Sequence, residues 1–69
     1  MRYRVKHTLK QWRMLSGLTQ EQLADAIDRD RTTIVRWEQG DTHPKANDIA
    51  KLEQVLKIKW SDDVIMPKA

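Results

Sequence analysis

Cysteine is absent from this chain of 69 residues. Neither a disulfide framework nor a thiolate metal site can supplement its core, so packing must do nearly all the stabilising. That absence suits a reducing compartment. Phenylalanine is missing too, and glycine and proline occur only twice each. No apolar run approaches the roughly 20 residues needed to cross a bilayer. The opening "MRYRVKHTLK" is charged and has no apolar leader segment. The expectation is a cytoplasmic protein without a membrane partner. One small core is the most that such a length supports, which leaves no room for a large catalytic cleft or a separate ligand-sensing domain.

Acidic residues are missing from one stretch in particular. Through residue 20, Arg2, Arg4, Lys6, Lys10 and Arg13 meet no carboxylate. From residue 21 to 40 the acids Glu21, Asp25, Asp28, Asp30 and Glu38 outnumber Arg29, Arg31 and Arg36, and beyond Gly40 the charges balance. The net charge of +3 fits either a basic binding stripe or an ordinary solvated surface.

What is present reads as helices joined by tight turns. Residues 8–16 space Leu9, Trp12 and Leu15 or Ser16 as a helix, with Thr8 as N-cap and Gly17 just past the end. "TQEQLADAI" opens a second helix with Thr19 and Gln22 as a capping box, and turns Leu23, Ala24 and Ile27 inward. Asp30 is the N-cap candidate for a third helix, its carboxylate accepting from amides near Thr32 and Thr33, which runs to about Gln39 and stops at Gly40. Pro44 fixes the next loop, and Ile49, Leu52, Val55 and Leu56 share one face of a fourth helix over residues 46–57. Ser61 is the expected N-cap of a short fifth helix, "SDDVIM", ended by Pro67. The whole is a single domain: a basic arm over 1–7, helices one to four over 8–58, and a short C-terminal helix and tail over 59–69.

Arg13, Gly17, Leu18, Thr19, Gln20, Leu23, Ala24, Ile27, Ile34, Trp37, Glu38 and Gly40 stand in an ordered spacing. This pattern resembles the helix-turn-helix domain of phage Cro and repressor proteins and their bacterial relatives, the XRE family. The resemblance covers roughly residues 9–58. It implies an all-α, lambda-repressor-like bundle of five short helices, with the helix-turn-helix formed by the second and third. It also implies a sequence-specific DNA-binding regulator whose partner is a double-stranded operator, bound as a homodimer. In the family, the arginine of the first helix pairs with the glutamate near the end of the third. That assigns Arg13 and Glu38 to a structural ion pair.

If Ile34, Trp37 and Glu38 face inward, the opposite face of the third helix carries Arg31, Thr32, Val35 and Arg36. In this motif the second helix of the pair lies in the major groove, so the resemblance assigns these four to base reading. Gln20 is a family position that touches the DNA backbone and braces the recognition helix. Thr33, Thr42, His43 and Lys45 are either further phosphate contacts or plain surface polar residues. The sequence departs from the pattern at Asp28, where relatives usually carry glycine, and at Arg29, where an apolar residue normally follows. Asp28 and Asp30 thus bring negative charge close to the expected phosphates.

A rival reading keeps the fold but makes it a protein-interaction module, an antirepressor or modulator docking on another phage or bacterial regulator. Its basis is the apolar chain end Ile58, Trp60, Val64, Ile65 and Met66, which either docks or caps the core. Antitoxin-type regulators, which bind DNA and a protein partner, lie between the two. An enzyme is the least supported class. His7 and His43 are far apart, Ser16 and Ser61 lie at helix boundaries, and no glycine-rich phosphate loop occurs. Asp41 and His43 are too few ligands for a metal, and no cofactor or small-molecule substrate is implied.

Overall fold

A computed structural model describes residues 5–66; the expectations for Met1 to Arg4 and for Pro67 lie outside the described residues. The order of elements is β1 (His7–Thr8), α1 (Leu9–Leu15), α2 (Gln20–Ala26), α3 (Arg31–Gln39), α4 (Ala46–Leu56), α5 (Trp60–Asp63) and β2 (Val64–Ile65). The fold class is all-α as expected, with one addition: β1 and β2 pair in parallel, His7 opposite Val64 and Thr8 opposite Ile65.

Local chemistry explains most helix ends. Thr8 accepts from the Gln11 amide at 3.2 Å while the Gln11 side chain accepts from the Thr8 amide at 2.9 Å. Thr19 and Gln22 repeat this exchange at 3.0 and 2.9 Å. Each box satisfies two backbone N–H groups that the start of a helix leaves without partners. Gly40 ends α3 at φ 82°, where the Asp41 amide donates to the Arg36 carbonyl at 3.0 Å. The turn between α2 and α3 needs a left-handed residue, and Asp28 supplies it at φ 59°, as an aspartate can at modest cost.

Three expectations need correction. Asp30 occupies the N-cap position of α3 by its backbone, but its carboxylate makes no capping bond; the Thr33 amide donates instead to the Asp30 carbonyl at 3.0 Å. Leu15 is 67% exposed rather than inward, because six residues from Leu9 amount to about 240° around a helix, and the inward positions go to Trp12 and Arg13. The last helix begins at Trp60, not after Ser61, and stops at Asp63. The β-branched pair Val64 and Ile65 follows as a strand, which also ends the basic arm at His7.

Leu9, Leu23, Ala24, Ile27, Ile34, Trp37, Leu52, Leu56 and Ile58 form the core, flanked by Trp12, Leu18, Val55, Trp60 and Val64. Ala24 is small enough to let α2 and α3 cross closely. Trp12 Nε1 on α1 donates to the Asp63 carbonyl at 2.7 Å, which ties the C-terminal segment to the first helix. His7 packs edge-on against Trp12 with ring centroids 4.8 Å apart. Among the described residues, no helix is long and apolar enough to cross a membrane.

Lys57 closes α4 in the left-handed region at φ 57°, where a Cβ costs roughly 1 kcal/mol and glycine is favoured. Lys57→Gly is therefore expected to raise the thermal midpoint by about 4–8 °C, read by circular dichroism. An unchanged or lower midpoint would show that the lysine side chain makes a compensating contact.

Candidate nucleic-acid interface

The inner face of α3 is fixed before its outer face can be considered. Ile34 and Trp37 are buried in the core against α2. Glu38 is held by three groups: Arg13 Nε at 2.7 Å, Arg13 Nη2 at 3.3 Å and Gln20 Nε2 at 3.1 Å. Arg13 also donates from Nη1 to the Leu18 carbonyl at 2.8 Å. The two charged side chains are 10% and 4% exposed. Arg13 and Glu38 thus form a buried ion pair between α1 and α3, and Gln20 donates to the same carboxylate. Among the described residues, no buried side-chain nitrogen or oxygen lacks a hydrogen-bond partner.

With that face locked, Arg31, Thr32 and Arg36 are exposed, and Val35 and Thr33 are half-buried at the two edges. Thr32 and Arg36 are four residues apart and so point the same way, opposite the core face. Thr42, His43 and Lys45 are exposed on the loop that follows α3. Thr32 and Arg36 therefore share one outward face of α3, Arg31 is exposed at its start, and the three loop residues follow the end of the same helix.

The turn leading into α3 holds what periodicity does not reveal. Arg29 Nε and Nη2 donate to Asp48 Oδ1 and Oδ2, both at 2.9 Å, and Asp48 Oδ2 also accepts from the Lys45 amide at 3.2 Å. Asp48 is 4% exposed. The Arg29 hydrogen bonds hold its carboxyl below the ordinary aspartate range despite burial, with the Lys45 amide adding to the effect. In turn the Asp48 carboxylate raises the Arg29 guanidinium, with smaller contributions from Asp28 and Asp30. The arginine that stands in place of an apolar residue thus finds a buried acid. The signal lay in Asp48 itself, an acid four residues before Leu52 on the inward face of α4. Around this pair the surface stays acidic: Asp25, Asp28 and Asp30 line a shallow polar depression with Arg29 and Thr33.

The helix-turn-helix family matches residues 9–62. The chain belongs to the XRE-type helix-turn-helix family. It is a DNA-binding transcriptional regulator of that type, and α2 and α3 are its helix-turn-helix. No match is found among curated proteins or among solved structures. Of the apolar chain end, Ile58 lies in the core and Trp60 and Val64 pack against it, so these three serve the fold. Met66 is half-buried, while Ile65 stays 48% exposed.

Removing either member of the buried Arg13 and Glu38 pair strands a charge, so Arg13→Met or Glu38→Gln is expected to cost about 3–5 kcal/mol in urea unfolding. The double variant Arg13→Met/Glu38→Leu should recover most of that loss. A single variant that unfolds like the wild type would mean the pair is dispensable. Asp48 makes a separate prediction. Its folded-state carboxyl lies below its unfolded value of 3.8, so its contribution is present above that value and fades as pH falls through the folded one. Urea midpoints measured from about pH 6 down to about pH 2 should fall less steeply below about pH 4 for Asp48→Asn than for the wild type.

Proposed function

We propose that the chain is a Cro-like repressor of a phage or prophage genetic switch, acting as a homodimer on a near-palindromic operator. The observation that carries this reading is the exposed Arg31, Thr32 and Arg36 surface on a helix whose other face is locked by Ile34, Trp37 and Glu38. An arginine fork matches guanine O6 and N7, each good pair being worth roughly 1–3 kcal/mol of discrimination. Arg31, near the start of α3, and Arg36 fill that role. Val35 meets a thymine methyl with its half-exposed edge, and Thr32 bonds a base edge. Gln20, Thr33, Thr42, His43 and Lys45 contact the phosphates, which set register without reading sequence. Two copies would place their α3 helices in successive major grooves about 34 Å apart. The acidic turn at Asp28 and Asp30 weakens attraction to any phosphate nearby, so affinity rests on the arginines more heavily than the net charge suggests.

One observation favours a second reading, in which the chain acts on another regulator protein as an antirepressor or antitoxin-type protein. Val5, Met14, Leu15 and Ile65 are apolar yet 61%, 61%, 67% and 48% exposed. His7, Gln11, Met14 and Leu15 frame an open groove of about 330 Å³. Exposed Lys6 and Lys10 adjoin those groove residues in sequence, so the partner would present an apolar segment flanked by acids. Most of this surface lies on α1, and of the chain end that the sequence pointed to it includes Ile65, which pairs with Thr8 at the start of that helix.

Selection of binding sites from randomised duplexes, followed by titration at several salt concentrations, tests the first reading. A steep negative salt slope is expected, with sequence preference lost in Arg31→Ala and in Arg36→Ala by roughly 10-fold or more each. No specific binding down to low salt would sink it. The second reading predicts a salt-resistant complex with a regulator encoded beside the gene, abolished by Leu15→Glu and untouched by Arg31→Ala. A complex that dissolves in salt, or survives Leu15→Glu, would count against it.

A further inference from the structure

One buried carboxylate joins three segments that the DNA-binding reading needs together. Asp48 on the first turn of α4 accepts from Nε and Nη2 of Arg29, from the turn that launches α3, and from the amide of Lys45, from the end of the loop that follows α3. That loop carries the exposed Thr42, His43 and Lys45. The C-terminal end of α3 is already fixed by Glu38 with Arg13 and Gln20, so this second tie fixes the other end. With the Arg29 side chain 43% exposed, solvent screening leaves the pair only a modest share in stability. What two parallel hydrogen bonds add is direction: they set angle as well as distance.

We propose that Arg29 and Asp48 are positioning residues for DNA binding, holding the loop over residues 40–45 against the start of α3 so that both meet one duplex. This proposal rests on the reading of Arg31, Thr32 and Arg36 as base contacts, and adds to it the pair that aligns base reading with phosphate contact. Groups on separate segments bind cooperatively only when they are held to within a fraction of an ångström. The tie supplies that alignment without touching DNA. Its separate consequence is that it governs the number of phosphates engaged, whereas Arg31 and Arg36 govern which bases are preferred.

The test uses the full chain with duplexes of about 20 base pairs, roughly two helical turns, carrying either the best selected site or a scrambled sequence. Wild type, Asp48→Asn and the apolar double variant Arg29→Met/Asp48→Leu are titrated at several salt concentrations, at a temperature where melting curves show each to be folded. The double variant keeps the test alive if Asp48→Asn folds poorly. Loss of the tie is expected to weaken binding to both duplexes by about 10-fold, the equivalent of 1.4 kcal/mol. The salt slope should shrink by about 0.9 for each phosphate that the variant no longer engages, while the preference for the selected site remains. Arg29→Lys, which keeps the charge without the two-point geometry, should not restore the slope. A folded variant with a lower melting temperature but an unchanged slope would overturn the proposal, and so would full rescue by Arg29→Lys. If the wild type bound neither duplex, the DNA-binding reading would fall with it; if the wild type bound and the folded variants matched it, the positioning role alone would fall.

Discussion

The carboxylate of Glu38 is the point on which the rest of the architecture depends. It sits near the end of α3 and receives Arg13 from α1 and Gln20 from α2, so one acid fixes the rotation of three helices around a small core. Apolar packing alone allows helices to slide or turn at little cost. A guanidinium engaged at two points, and also bonded to the Leu18 carbonyl at 2.8 Å, does not. Because Ile34 and Trp37 are buried on the same side, the orientation of α3 is determined and its outward surface follows. The outward face of α3 is therefore a consequence of an internal constraint rather than a feature added to a finished fold.

Much of this was legible in the chain because it is local. Thr19 with Gln22, Gly40 after Gln39, and the stripe Leu23, Ala24 and Ile27 each announce a boundary or a face within a few residues. Thr8 with Gln11 carries the same capping signature and forms the same reciprocal bonds, although the residue pair is easy to pass over beside the charged N-terminus. The non-local features were harder to read. Nothing within a few residues of Arg29 shows that its partner is Asp48, since the pairing depends on how α4 returns past the turn. Likewise Val64 and Ile65 follow Ser61, Asp62 and Asp63, a helix-opening run that invites the helix to continue through them. Their β-branched character decides for a strand only because β1 is there to receive them. Spacing pointed to Arg31, Thr32 and Arg36, but it could not tell that Val35 and Thr33 would be half covered.

The turn between α2 and α3 illustrates how a departure from a family pattern can be accommodated. Replacing glycine by Asp28 and an apolar residue by Arg29 introduces three charges in succession with Asp30. The backbone tolerates the first change at φ 59°. Asp48 absorbs the second. The surplus acidity that remains lies beside the start of α3, next to arginines whose charge it partly offsets.

The parallel pairing of β1 with β2 has a consequence for how the chain folds. The ion pair that joins α1 to α3 spans 25 residues, whereas His7 with Val64 and Thr8 with Ile65 close a loop around nearly the whole described chain. Loop-closure entropy must be met before that pairing yields any return. The helical core can assemble first from local contacts, leaving the strand pair and the Trp12 bond to Asp63 to form last. By the same logic they open first, so the exposed side chains of α1 and Ile65 border the least cooperative part of the molecule, where a fluctuation exposes backbone without disturbing the orientation of α3.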